Sequence, residues 1–355
     1  MIIKEFSIEP CVLRKADPTW RTSLHADPTT EGAIIRLTAD NGHFGDGYGS
    51  ATAHMGSVPP VLKAELEFFR PAVIGEDARN MEAISLKLDR LLRGAPFARS
   101  AIECALFDLN ARALGVPLNR LLGGQVRDRV PVIRILAIKT PQEMASAARK
   151  LVDEGYRYLK IKVDGDVATD VARVAAVRRE VGDSIHLTID ANQAYSVKSA
   201  ITALNRMAES GLDLAEQPVH VDDLDGLALV TRAVPAIVEA DEAAGSLKDI
   251  QAIIRGRCAD AVSLKLPKLG GLRNGIMAAR MCEANGIKYR LGAAVGSRIL
   301  VATALHLACA LPGMDYACEL GEFERLLDDP FDGLRIVDGD LLLPTSPGLG
   351  IARRH

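Results

Sequence analysis

Apolar positions in this chain change their period once, near residue 125, and the change separates two kinds of architecture. Before it, β-like segments at residues 2–13 and 33–39 flank a polar stretch at 16–30, and helical spacing follows at 58–69, 80–92 and 98–114. This predicts an α+β unit over residues 1–125, closed by Leu121-Leu122-Gly123-Gly124, with the polar stretch as a surface loop carrying the sole tryptophan, Trp20. After it, short apolar runs alternate with helical stretches, the mark of βαβ units and a parallel sheet. Strands are expected to begin near Val130, Tyr158, His186, Leu214, Ile237, Ala261, Lys288 and Tyr316, at spacings such as 28 residues (158 to 186) and 24 (237 to 261). Eight such units close into a barrel more naturally than into an open sheet. The expected fold is therefore α/β: a (β/α)8 TIM-type barrel over 126–325, an N-terminal α+β capping domain, and a C-terminal segment, 326–355, that returns to complete the cap.

Polar residues that end the barrel's apolar runs lie at its C-terminal face, where such folds carry their chemistry. The third run ends in Asp190-Ala191-Asn192, the fourth in Glu216-Gln217-Pro218 and the fifth in Asp241-Glu242. Three carboxylates thus stand at equivalent places on consecutive strands, at intervals of 26 and 25 residues. Left uncompensated they would repel one another, so a divalent cation is the simplest resolution; a helix N-cap is the alternative for any one of them. All-oxygen ligation with open positions suits Mg2+, with Mn2+ as the substitute. Lys160 and Lys162, two apart on the second run, share one face of their strand. Facing the interior, Lys162 reaches the mouth with Lys160 beneath it, and nearby positive charge would lower the Lys162 pKa toward that of a general base. The sixth run ends in Lys265, four strands away in a ring of eight, so the two lysines face each other across the mouth. A substrate carboxylate on the metal would then present its α-carbon between two amines, and loss of its proton gives an enolate that the cations stabilise.

Composition narrows the partner. With 48% hydrophobic and 25% charged residues the chain can bury a large core, and its net charge of −3, with scattered lysines and arginines, offers no footprint for nucleic acid or an anionic membrane. The six cysteines lie far apart, without a CxxC pair, and read as reduced core thiols. Lys4 and Glu5 interrupt the start where a secretory signal needs a long apolar run. A soluble cytoplasmic protein, assembled as a homo-oligomer and acting on a small-molecule carboxylate, is expected.

These residues resemble the enolase superfamily, and within it the muconate-lactonizing subgroup of the mandelate racemase/muconate lactonizing enzyme family. The resemblance rests on Lys160-Ile161-Lys162, Asp190-Ala191-Asn192, Glu216-Gln217-Pro218, Ala240-Asp241-Glu242 and Lys265-Leu266-Pro267-Lys268-Leu269-Gly270-Gly271, in the family's order. Outside the barrel it extends to Ala98-Arg99-Ser100-Ala101-Ile102-Glu103-Cys104-Ala105-Leu106-Phe107-Asp108-Leu109. It implies Mg2+ on Asp190, Glu216 and Asp241, acid and base roles for Lys162 and Lys265, support from Lys160, and Asn192, Glu242 and Lys268 behind them. It also implies a specificity role for the cap, through residues 18–28 with Trp20 and through 45–51. Racemisation or epimerisation of an amino-acid derivative or dipeptide is the leading expectation; cycloisomerisation and dehydration need the same enolate, and a non-catalytic binding barrel is the reading from another class. Two departures bear on substrate. The segment Leu291-Gly292-Ala293-Ala294-Val295-Gly296-Ser297-Arg298 has glycine where relatives often have glutamate, and Gly47-Tyr48-Gly49-Ser50 stands where Gly-Trp-Gly-Glu is common.

Other signals are open. Ser297 and Arg298 could hold a second substrate carboxylate, and Glu319 or Glu322 a cationic group, or each could be structural. Gly42, Gly45, Gly47 and Gly49 read as a hairpin and cap loop, since no helix follows where a phosphate loop requires one. His306, in an apolar helix, reads as a satisfied buried histidine.

Overall fold

The computed structural model describes residues 1–24 and 26–354; His25, inside the loop assigned to specificity, and His355 lie outside the described residues. The N-terminal unit is an antiparallel sheet of β1 (Ile3–Arg14), β2 (Thr29–Ala39) and β3 (Phe44–Ala51), covered by α1 (Pro59–Val73), α2 (Met81–Leu91) and α3 (Pro96–Ala113). β3 was not legible in the sequence because its glycines hide the strand pattern. They are there for a steric reason: a Cβ on Gly45 would lie 2.1 Å from the Ala105 carbonyl oxygen, and one on Gly47 2.0 Å from that of Ala101. The sheet thus lies directly on the backbone of α3, a helix buried on nearly every side.

The parallel sheet follows as β5 (Ile133–Leu136), β6 (Tyr158–Lys162), β7 (His186–Asp190), β8 (Leu214–Glu216), β9 (Ile237–Ala240), β10 (Ala261–Lys265) and β11 (Lys288–Gly292), hydrogen-bonded in that order. Its outer helices are α4 (Pro141–Asp153), α5 (Val167–Val181), α6 (Val197–Ala208), α7 (Leu224–Ala233), α8 (Leu247–Gly256), the short α9 (Leu266–Leu269) with α10 (Leu272–Asn285), and α11 (Arg298–Ala310). Each of α4 to α8 begins on a side-chain cap (Thr140, Asp166, Ser196, Asp223, Ser246) that satisfies an N-terminal amide and fixes where the loop at the mouth ends.

Two element boundaries differ from the pattern's expectation. The apolar run at Val130 splits: β4 (Arg129–Pro131) pairs antiparallel with a tail strand, and the barrel strand starts at Ile133. The eighth stave is reduced to single bridges, Cys318 to Val132 and Glu319 to Gly292, and a 3-10 turn (Glu322–Arg325) replaces the final helix. These bridges still close the ring, since Ile133 N donates to Cys318 O at 3.0 Å and Ala293 N to Glu319 O at 3.0 Å. Gly321 turns the chain sharply away, its Cα so close to strand one that a Cβ would meet Val132 Cγ1 at 2.5 Å.

The tail forms β12 (Phe331–Asp332), β13 (Ile336–Val337), β14 (Asp340–Leu342) and β15 (Ala352–Arg353) and runs back to α3, where Leu349 N donates to Asp108 Oδ1 at 2.8 Å. His306 is satisfied there, with Nε2 3.1 Å from Leu349 O. All six cysteines are free and buried. Among the described residues no helix is long and apolar enough to cross a membrane.

A second tie joins cap and barrel. Glu103 of α3 is buried beneath the N-terminus of α10, where its carboxylate accepts from Arg273 N at 2.6 Å; a Cβ on Gly271 would strike it at 2.7 Å. Burial pushes the Glu103 carboxyl up from 4.5 to about 7, against the opposing pull of the Arg273 amide and guanidinium.

Two outcomes follow from these contacts. Gly47→Ala forces a methyl against the α3 backbone and is expected to destabilise the protein by about 1–3 kcal/mol in chemical denaturation. For Glu103, the folded state holds its proton more tightly than the unfolded chain, so its contribution to stability is present below pH 4.5 and is lost as pH rises to about 7. Denaturation midpoints measured across that window should lose this component of their decline in Glu103→Gln.

Candidate active site

The register places the sequence-predicted residues in one ring. Lys162 pairs with Asp190, Asp190 with Glu216, and Glu216 with Glu239, so Asp241, two residues on and just past the end of β9, sits one step nearer the mouth. Lys265 ends β10, and between it and Lys162 stand the three acid-bearing strands β7, β8 and β9. Lys162, Asp190, Glu216, Asp241 and Lys265 are all at most 5% exposed, and all but Glu216 line the cavity at the mouth.

Ion pairs organise the ring. Lys162 Nζ donates to Asp190 Oδ2 at 2.5 Å and to Asn192 Oδ1 at 2.8 Å. Opposite it, Lys265 Nζ reaches Asp241 Oδ2 at 2.5 Å, and Lys268 Nζ reaches Asp241 Oδ1 at 2.6 Å. Lys160, fully buried, lies 3.0 Å from Asp190, 2.6 Å from Glu216 and 2.7 Å from Glu319. Burial alone would lower its pKa, but these three carboxylates more than offset that and hold it well above the ordinary lysine value. Burial tends to raise Asp241, yet Lys265 and Lys268 keep it well below the usual carboxylate range; Glu216, sunk deepest, is pushed well above it. Asn192 takes a left-handed turn (φ 42°) and donates to Glu242 Oε1 at 3.2 Å, which ties the loop after β7 to the loop after β9.

The donor set suits a hard divalent cation, since it offers carboxylate oxygens alone. Most of those oxygens are engaged by ammonium groups, and among the described residues no three acidic or imidazole side chains are already gathered as ligands. Among the oxygens of Asp190, Glu216 and Asp241, Glu216 Oε1 alone is buried with no hydrogen-bond partner, as are Glu239 Oε1 and Glu242 Oε2 nearby; it lies 3.8 Å from Lys265 Nζ. A buried lone pair left unmatched is costly unless something else meets it.

Above the ring a cavity of about 310 Å³ is walled below by Lys162, Asp190, Asp241, Lys265 and Glu319 and above by the cap, through Trp20, Thr30, Glu31, Ala51, His54 and Met55. Trp20 lies under Lys15, whose Nζ is 4.7 Å from the ring centroid. The cap loop is fastened to the mouth by Ser23 Oγ, which donates to Ala191 O at 3.1 Å, and by Ile138 N, which donates to Arg21 O at 3.2 Å.

Ser297 and Arg298 correct the sequence reading. Neither lines the cavity: Ser297 Oγ donates to Asp329 Oδ1 at 3.1 Å and caps α11, while Arg298 pairs with Asp329 at 3.2 Å and lies over Phe323. Asp329, about thirty residues on, takes up the charge that a substrate carboxylate would have needed. Glu319 does line the cavity, though as a partner of Lys160, and Glu322 is held by Arg134, Arg325 and the Ile135 amide.

The two departures from the family pattern form a single contact. Tyr48 is buried between β2 and the segment after β11, where a Cβ on Gly296 would meet its ring at 2.6 Å and one on Gly32 would meet its hydroxyl at 2.4 Å. The aromatic ring fills the space that a side chain at 296 would use.

Sequence reasoning missed three residues. Gln217, fully buried in a left-handed turn (φ 36°), accepts from the amides of Asp241 and Ala243 and so fixes the β9 loop. Glu239 and Arg290 lie inside the barrel, paired at 2.5 Å. Their signal was a charge in mid-strand, in Ile237-Val238-Glu239-Ala240 and Lys288-Tyr289-Arg290-Leu291.

Comparison with known proteins agrees with this geometry. Residues 7–123 match the family described as "Mandelate racemase / muconate lactonizing enzyme, N-terminal domain", and residues 143–354 match "Enolase C-terminal domain-like". The chain is 34% identical over 341 residues to the L-Ala-D/L-Glu epimerase of Bacillus subtilis, covering 94% of this chain and 92% of that protein. It is 32% identical over 346 residues to muconate cycloisomerase 1 of Pseudomonas putida, covering 94% and 91%. The solved structure of a dipeptide epimerase from Enterococcus faecalis, complexed with Mg and the dipeptide L-Leu-L-Tyr, superposes with a TM-score of 0.95 at 31% identity, covering 99% of this chain and all of that one. From the paired lysines and acids to these full-length likenesses, the chain belongs to the mandelate racemase/muconate lactonizing enzyme family of the enolase superfamily.

Proposed function

We propose that the protein is a magnesium-dependent epimerase that inverts the carbon beside a carboxylate in a dipeptide or other amino-acid derivative. The observation that carries this reading is the opposition of Lys162 and Lys265, both intact and buried at the mouth, with the three acid-bearing strands between them. A substrate lying between them has an amine on each face of its α-carbon. One lysine takes the proton from its face and the other returns a proton to the opposite face; the roles exchange in the reverse direction. Asp190, Glu216 and Asp241 would hold Mg2+. When bound, it supplies positive charge beside the substrate carboxylate as the α-proton leaves. Lys160 fixes Asp190 and Glu216 from below, and Lys268 does the same for Asp241. The cap, through Trp20 and the residues after β3, meets the remainder of the substrate and excludes water from the mouth.

The epimerase relatives of Bacillus subtilis and Enterococcus faecalis support this reading. Cycloisomerisation, the activity named for the Pseudomonas putida relative, is the second reading. It needs one acid/base lysine, whereas inversion is the reading that uses both. Intact acids and lysines also weigh against a non-catalytic binding barrel. The reading further divides the chain into a specificity cap (1–125), a catalytic barrel (126–325) and a returning tail (326–355). It places the enzyme in the cytoplasm, supported by six unpaired buried thiols, and in a homo-oligomer, supported by the exposed Val61 and Phe68 on α1.

Separate Lys162→Ala and Lys265→Ala variants test it by α-deuterium incorporation in D2O. Each should lose inversion by about 10²–10⁴-fold, while the remaining lysine still exchanges the α-proton of the antipode it faces. Ring closure or loss of water without inversion would sink the epimerase reading. Chelation with EDTA should abolish turnover and added Mg2+ should restore it, with Asp241→Asn requiring much more metal; full activity after exhaustive chelation would exclude the metal's role.

A further inference from the structure

The interior of a parallel barrel is ordinarily filled by branched apolar side chains. Here its centre holds a buried ion pair that touches neither the cavity nor solvent. Arg290 on β11 is 1% exposed and Glu239 on β9 is fully buried. The same Arg290 nitrogen donates to Glu239 Oε2 at 2.5 Å and to Glu216 Oε2 at 2.6 Å. Buried ion pairs are weak contributors to stability, and an apolar pair of similar volume often serves as well or better, so packing alone does not account for this one.

Its geometry has a direction. Glu216 Oε2 is held by Arg290 and by Lys160, both at 2.6 Å and neither of them lining the cavity. Oε1, by contrast, has no hydrogen-bond partner and lies on the side of Lys265, which lines the mouth. An arginine placed alone under a cation site would repel the cation; Glu239, sharing its guanidinium, cancels that charge.

We propose that Arg290 is a positioning residue for the divalent-cation site: it locks the Glu216 carboxylate so that Oε1 faces the mouth, and Glu239 is the counter-charge that makes this lock electrostatically neutral. The inference rests on the metal reading above. It goes beyond that reading by assigning the site's floor to a pair that neither binds the cation nor reaches the substrate.

The double variant Arg290→Met/Glu239→Gln removes both charges at once, so the net charge beneath the site is unchanged and only the positioning is lost. Calorimetric titration with MgCl2 alone, on the full chain, should show Kd raised about tenfold or more. The Tm should stay within a few degrees of the parent, and kcat/KM should recover at saturating Mg2+, which a merely structural role would not produce. Arg290→Lys keeps the charge on a shorter stem and should move Kd in the same direction by less; it carries the test if the double variant does not fold. A Kd within twofold of the parent overturns the inference, and a lowered Tm with unchanged Kd overturns it in favour of simple packing. Parental protein that takes up no Mg2+ overturns the metal reading and this inference together.

Discussion

Charge compensation among buried ions governs this molecule. Counted among the described residues, six carboxylates (Asp190, Glu216, Glu239, Asp241, Glu242, Glu319) share the barrel's upper interior with five cations (Lys160, Lys162, Lys265, Lys268, Arg290). Each ion taken from water costs several kcal/mol even after relaxation, so none can be placed without a partner at hydrogen-bond distance. The strand order supplies those partners. Acids on β7 to β9 are flanked by lysines on β6 and β10, and Arg290 on β11 closes the arrangement from beneath. The formal sum is one negative charge. With one of Lys162 and Lys265 neutral, as a base must be, the sum becomes two negative charges, which a divalent cation balances, a condition under which charge can develop on the substrate without a large penalty.

The cap is built on close backbone contact and tied to the barrel by a buried carboxylate. Two glycines, Gly45 and Gly47, let β3 lie against α3, and Glu103 on that same helix grips the start of α10, just past the short helix α9 that bears Lys268. The roof of the cavity and one wall of the catalytic ring therefore share one buried helix.

Much of this was legible in the chain. The barrel follows from its alternating periods, and the five mouth residues from the position of polar side chains at strand ends. Features that depend on distant partners were not. Arg298 reads as a free cation until Asp329 folds back upon it. Val130 belongs to a long apolar run, and only pairing with β14 removes it from the barrel. The eighth stave is two bridges long, and just past it Gly321 lies close against Val132. Glycine supplied the opposite difficulty in β3, where the absence of side chains that signals a loop was the requirement of close packing. Arg290 and Glu239 were visible as charges in mid-strand, but periodicity assigns no purpose to a charge that faces inward.

Tyr48 and its two glycines limit how this family's architecture can be recombined. The ring occupies the place of a side chain at position 296 and presses on Gly32, so cap and barrel carry complementary halves of one steric code. A chimera that joined this cap to a barrel bearing glutamate at that position would place two side chains in one volume unless the Tyr48 ring moved. Exchange of either unit thus calls for positions 48 and 296 to be changed together.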